Sequence, residues 1–234
     1  MTPGDVRALG IQIDDSSYRR LTHFISLLLA ENQQVKLTAA ATTEELWRRH
    51  VCDSLVLLRA IPADLSGALL DIGSGGGLPG LAVACARPGW RVTLLDATRK
   101  KVAALERISA GLKLANVEAV WGRAENLAHD SRYREHFDVA TARAVAPLPV
   151  LLEYAAGFVV PGGQAWFFKS ADALATEIPA AQRVAIKCVL EPAGEVRYLL
   201  PGDSAARVLV GYRKVGHLPG HLPRPPGRAR KRWL

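Results

Sequence analysis

The chain has 234 residues, 49% hydrophobic and 22% charged, the balance of a globular protein, which excludes intrinsic disorder for most of it and leaves room for one large domain or two small ones with a real core. Cys52, Cys85 and Cys188 are odd in number and form no CxxC pair or Cys/His cluster, which argues against a disulfide framework and a structural zinc site, and a reducing compartment is expected. The net charge is +8, yet residues 213–234 hold seven basic side chains and no acid, while the other 212 residues carry 23 basic against 22 acidic ones.

In chain order, Leu21, Phe24, Ile25, Leu28 and Leu29 repeat at helical spacing over about residues 15–33. A second helix is expected from Thr42, with Glu45 completing a capping box and Trp47, Val51, Leu55 and Leu58 facing inward. These two read as a helical cap rather than a site, and His50 and Asp53 as packing and hydrogen-bonding residues. From residue 68 strands and helices alternate. Ala68–Ile72 enters a glycine loop, and Leu78–Arg87 is a helix. Arg91–Leu95 is a strand ending in Asp96, and a helix covers about 98–114. Val117–Trp121 and Phe137–Ala142 are strands, a helix runs over about 148–157, and Gln164–Phe168 is a fifth strand. Val184–Leu190 and Val208–Tyr212 are read as the last two, flanking an irregular stretch around Pro192–Pro201. The expected fold is α/β, a doubly wound, mostly parallel seven-stranded sheet with an N-terminal helical extension and a basic C-terminal tail. Gly and Pro interrupt both long apolar stretches, around Ala68–Ala86 and Pro147–Phe168, as do Asp71 and Glu153. No membrane span or signal peptide is expected, and the cytoplasm is the expected location.

The basic end is rich in Pro and Gly and is expected not to form a helix or central strand. It is either a solvated end or a flexible grip on a polyanion, with Trp233 available for stacking.

The loop Asp71-Ile72-Gly73-Ser74-Gly75-Gly76-Gly77-Leu78-Pro79-Gly80 leaves a strand and opens a helix. Asp96, nineteen residues after Gly77, is placed to accept both ribose hydroxyls of a nucleoside. Gly75-x-Gly77-x-x-Gly80 matches a dinucleotide fingerprint. The fuller pattern Asp71-x-Gly73-x-Gly75-x-Gly77 resembles the S-adenosylmethionine (SAM) loop of class I methyltransferases. Asp71 favours this second ligand, because an acid beside the loop suits a sulfonium and repels a pyrophosphate. Gly122-Arg123-Ala124-Glu125 follows the third strand, where Glu125 is either a helix-start acid or an adenine contact. Arg143 follows the fourth, at the carboxyl edge where open sheets bind ligands.

Taken together, Leu37-Thr38, Arg49-His50 with Asp53-Ser54-Leu55, the loop Asp71–Gly80, Leu94-Leu95-Asp96 with Lys100, Arg123-Ala124-Glu125, Thr141-Ala142-Arg143-Ala144, Lys169, Arg207 and the end Pro223–Leu234 resemble one family in order and spacing. It is the bacterial small-subunit rRNA guanine-N7 methyltransferases, also called glucose-inhibited division protein B. Gly76-Gly77 departs from it, filling positions that vary there. The resemblance implies a SAM-dependent enzyme acting on N7 of a guanine in the decoding-region stem-loop of 16S rRNA. It implies SAM contacts at Gly73, Leu78, Ala124, Glu125 and Arg143, to which Ser74, Gly75 and Asp96 are added from the wider methyltransferase pattern. Lys100, Arg123, Lys169, Arg207, Arg228, Arg230, Lys231 and Arg232 are the candidate RNA contacts. No catalytic residue is assigned, because N7 carries a lone pair and no proton, so alignment suffices. The chain has no Asn/Asp-Pro-Pro-aromatic motif for exocyclic amines, and no cysteine follows a proline.

The expected organisation is an N-terminal extension over 1–62, a methyltransferase domain over 63–215 and a tail over 216–234. The expected partner is 16S rRNA or a precursor of the small ribosomal subunit, bound by a monomer without a membrane. A small-molecule methyltransferase, an NAD-dependent oxidoreductase and an RNA-binding protein with a vestigial site remain as alternatives. Removing residues 224–234 is expected to weaken RNA binding and leave SAM affinity alone.

Overall fold

The computed structural model describes residues 2–61 and 66–234; the 62/63 boundary expected from the sequence lies outside them. Seven strands form one sheet in the order β3-β2-β1-β4-β5-β7-β6. They are β1 (Ala68–Ile72), β2 (Arg91–Asp96), β3 (Val117–Trp121), β4 (Phe137–Arg143), β5 (Val159–Ser170), β6 (Leu190–Tyr198) and β7 (Arg207–Lys214). The first five pair in parallel, and β7 runs antiparallel to both β5 and β6. Chain order reverses at β1, with β2 on one side and β4 on the other. A crevice therefore opens at the carboxyl ends of these strands, where open α/β sheets place ligands.

Helices cover both faces, so β1 is buried along its whole length. One face packs on Asp15–Asn32, Gly80–Ala86 and Arg99–Gly111, and the other on Leu148–Ala156 and Ala171–Lys187. Asp14 caps the helix Asp15–Asn32 by accepting from the Ser17 N–H at 2.6 Å. Leu21, Phe24, Ile25 and Leu28 of that helix are fully buried, while Leu29 is half-buried. Thr42 caps the next helical run by accepting from Glu45 N–H. That run passes through a π-helical segment, Leu46–Val51, before ending at Arg59. Trp47, Val51, Leu55 and Leu58 all point into the core.

Two sequence expectations are corrected. Val184–Leu190 is not a strand. Its first four residues complete the helix Ala171–Lys187, which buries Leu174, Ala181, Val184 and Ala185 on one face and leaves Ile186 exposed. A short apolar run fits either period, and here the upstream helical stripe decides it. The irregular stretch around Pro192 instead holds strand β6. It lies at the sheet edge with a register shift between Pro192 and Gly194, a position that tolerates a residue without an N–H donor.

The C-terminal segment is also corrected, because it packs. Leu218, Leu222 and Ala229 are buried in the core, and Arg228–Lys231 form a helical turn. The Arg134 guanidinium donates to the carbonyls of Leu218 and Leu222. Among the described residues no helix is long and apolar enough to cross a membrane.

Candidate active site

The loop after β1 turns on three left-handed glycines, Gly73, Gly75 and Gly77, a conformation that costs a side-chain-bearing residue free energy. A Cβ on Gly73 would lie 2.7 Å from Val145 Cγ2, so the loop and the turn after β4 fit only with glycine here. Asp71 is fully buried, and its Oδ2 accepts from the Gly80 N–H at 2.8 Å, closing the loop onto its helix. Among the described residues its Oδ1 meets no hydrogen-bond donor within bonding distance, and burial raises the carboxyl pKa to about 7. Asp71 lines neither cavity beside the loop. It thus acts by occupying the helix N-terminus that a pyrophosphate would need, not by facing a sulfonium.

A cavity of about 470 Å³ opens beside the turn, lined by Gly73, Ser74, Gly75, Leu78, Asp96 and Arg143 among others. Asp96 Oδ2 accepts from Gly75 N–H at 3.0 Å and Oδ1 from Thr98 N–H at 2.7 Å. Each oxygen keeps a further lone pair for a hydroxyl. A smaller cavity of about 100 Å³ continues past Gly73 and Ala97 to Gly122, Ala124, Glu125 and Tyr154. Glu125 is buried, and both donors on it, the Tyr154 hydroxyl at 2.8 Å and the Gly227 N–H at 3.0 Å, meet Oε1. A glycine cradle, an acid at the end of β2 and a small slot ending in a carboxylate fit an adenosine with an amino-acid arm. They offer no cluster of free N–H groups for a diphosphate.

The expected cap is part of this site. Leu37, Thr38, Ala39 and His50 line the larger cavity. The backbone there is held because Asn32 Oδ1 accepts from the N–H groups of Leu37 and Thr38. A second cavity, about 480 Å³, shares the wall of His50, Arg143 and Ala144, and is lined further by Arg49, Phe168, Lys169, Tyr198 and Arg207.

Asp53 is the hub of that wall, not a packing residue alone. Only 2% exposed, it accepts from Tyr198 Oη at 2.6 Å and Arg143 Nη1 at 3.0 Å, with Arg207 Nη1 at 3.7 Å. Arg143 Nη2 lies 3.1 Å from His50 Nδ1. Since a guanidinium only donates, Nδ1 is the acceptor and the imidazole is neutral. Burial, then the Arg143 charge, lowers the His50 pKa to about 4. Ala144 has a φ of 57°, a strained conformation for a residue with a Cβ. The turn is held by Lys169 Nζ on the Ala146 carbonyl at 2.9 Å and Arg230 Nη2 on that of Val145 at 3.1 Å.

Of the candidate RNA contacts, Lys169 pairs with Glu177 at 2.7 Å and Arg207 with Asp203 at 3.2 Å, both on the second cavity's wall. Arg123 is exposed and lines the small cavity. Lys100, Arg228, Lys231 and Arg232 are exposed and line none of the three cavities. Arg230 instead lines both cavities of the glycine-turn side. Arg49-His50 and Leu37-Thr38 carry a sequence signal through the resemblance. Phe168, Tyr198 and Val145 carry none, because nothing local marks a core-like residue as a wall.

Sheet order and crevice together define the fold of the class I methyltransferases. The solved structure of a predicted O-methyltransferase from Agrobacterium tumefaciens superposes with a TM-score of 0.56 at 21% identity, covering 71% of this chain and 82% of that one. The particular family follows from sequence. The family model GidB, rRNA small subunit methyltransferase G, matches residues 17–194, and the chain belongs to that family. Two similar relatives are the ribosomal RNA small subunit methyltransferases G of Moorella thermoacetica and Gloeobacter violaceus. The first is 38% identical, covering 96% of this chain and 93% of its own; the second is 39% identical, covering 94% and 87%.

Proposed function

We infer that the chain transfers a methyl group from SAM to N7 of a guanine in 16S rRNA. The observation that carries this reading is the shared wall. The donor cavity at the glycine turn and the basic second cavity meet at His50, Arg143 and Ala144, so a base in one lies beside a donor in the other. Bound SAM supplies an electrophilic methyl group on a sulfonium.

The chain's residues supply alignment. Asp96 accepts from the ribose, the Ala124-Glu125 segment bounds the adenine, and the turn 143–146 fixes the gap between the two cavities. No general base is required, since guanine N7 bears no proton. The reaction neutralises the sulfonium and leaves the purine cationic. A neutral His50 and an Arg143 already paired with Asp53 put little net charge against that change. The cations Arg49, Lys169 and Arg207 around the second cavity suit a guanine within a polyanion, while Phe168 offers an apolar surface. N7 is inaccessible in the deep major groove of an RNA helix, so a loop or splayed guanine is the substrate, in free 16S rRNA or a precursor of the small subunit.

The test is transfer from labelled SAM to small-subunit RNA, followed by mapping of the modified nucleotide. N7-methylguanosine at one position is the expected product. Label on any other atom, or on no RNA at all, overturns the reading.

A further inference from the structure

The basic end, by composition either a solvated tail or a grip on a polyanion, is anchored beside the donor cavity. Arg224 forms a two-pronged pair with Glu153, Nε to Oε1 at 2.9 Å and Nη2 to Oε2 at 2.6 Å, and Glu153 is 1% exposed. The Arg224 N–H donates to Glu153 Oε1 as well, at 2.8 Å. His129 Nε2 sits 2.8 Å from the Pro223 carbonyl. This fixes the chain where it turns over the donor site. Three residues on, the Gly227 N–H reaches Glu125, the carboxylate at the adenine end. The turn that follows buries Ala229 completely, which aims its neighbour Arg230 at the cavity.

Arg230 lines both the glycine-turn cavity and the adenine slot. Its guanidinium is tethered through Nη2 to the Val145 carbonyl and lies beside the Tyr154 hydroxyl. Val145 itself lines both cavities and packs on Gly73. Arg230 pairs with no carboxylate among the described residues, unlike Arg213, Lys214 and Arg224. A planar cation without an acid, over a slot sized for a purine, is chemistry suited to stacking on the adenine face.

We propose that the anchored segment holds Arg230 at the outer wall of the SAM site, where it is a donor-binding residue that stacks on the adenine. The segment lies beyond residues 17–194, which the family model matches. The proposal rests on reading the glycine-turn cavity as the SAM site.

Isothermal titration of the full chain with SAM, without RNA, tests it. Arg230→Ala is expected to weaken binding about tenfold, and Arg230→Lys, which keeps the charge but not the plane, to recover only part of the loss. Arg183→Ala, at an exposed cation that lines neither cavity, is expected to bind SAM as the unaltered chain does. In hydrogen exchange, S-adenosylhomocysteine is expected to slow the amides of residues 225–232. Wild-type SAM affinity in Arg230→Ala overturns the proposal even if RNA affinity falls, because the segment would then touch RNA only. An unaltered chain that binds no SAM overturns the reading of the cavity itself, a separate result. Thermal melting of Arg230→Ala within a degree of wild type shows that any loss is local.

Discussion

Asp53 shows how one side chain organises the shared wall. It pairs with Arg143, lies near Arg207 and accepts a tyrosine hydroxyl from a buried position on the second cavity's wall. Removing the acid leaves Arg143 with its charge uncompensated in a half-buried site and strips Tyr198 of its acceptor. Asp53→Ala is therefore expected to cost about 3 kcal/mol of stability, read from urea unfolding, and to abolish methyl transfer by releasing Arg143. Unchanged stability would mean that water already solvates the pair.

His50 makes the wall sensitive to acid. Its folded pKa of about 4 lies below the ordinary 6.5, so between these values the unfolded chain binds the extra proton. Its contribution is fully present above pH 6.5 and is lost as pH falls toward 4. His50→Gln cannot take up that proton and is expected to show a smaller loss of stability between pH 6.5 and 4.5 than wild type. Parallel curves for the two proteins, from denaturant titrations at each pH, would contradict this. The three cysteines play no part in such switching. All are buried, and burial pushes each thiol to about 12.

At the scale of elements, the C-terminal segment departs furthest from its composition. A run of Pro, Gly and basic residues reads as solvated because it has no apolar periodicity. Three isolated apolar residues, Leu218, Leu222 and Ala229, together with the Arg224–Glu153 pair are enough to seat it. Arg224→Ala leaves Glu153 buried and unpaired. A loss of about 3–5 kcal/mol is expected, together with rapid trypsin cleavage after Arg228, Arg230 and Lys231. Trypsin resistance equal to wild type would show that the segment is held by its apolar residues instead. The same element scale explains β6, whose Pro192 and Gly194 look like a loop in sequence and are accepted only because the strand lies on an edge.

For the whole molecule, charge is less free than the formal +8 suggests. Of the seven cations in residues 213–234, Arg213, Lys214 and Arg224 pair with Glu191, Glu135 and Glu153. Lys214 is wholly buried. Arg230 is exposed at the rim of the donor cavities, and Arg228, Lys231 and Arg232 are exposed away from them, with Trp233 42% exposed beside them. If these three meet phosphates, replacing all of them by alanine lowers the salt dependence of RNA affinity by roughly 2 in log–log slope. Binding assays across a salt series measure it, and an unchanged slope would assign the RNA surface to the second cavity's rim.

Some of this protein was written in the order of residues alone. The glycine turn, Asp96, the strand–helix alternation and the buried stripe of Asp15–Asn32 follow from periodicity and backbone sterics, which act over a few residues. The contents of the site did not. Asp53 and Tyr198 lie 145 residues apart, and Gly227 reaches Glu125 across 102. Asp71 keeps its place in the pattern yet serves the helix start rather than a ligand, because its distance to Gly80 is set by the folded loop. Charges and hydrogen bonds act over a few ångströms, so which residues share a wall is decided only when the sheet order brings distant segments to one crevice.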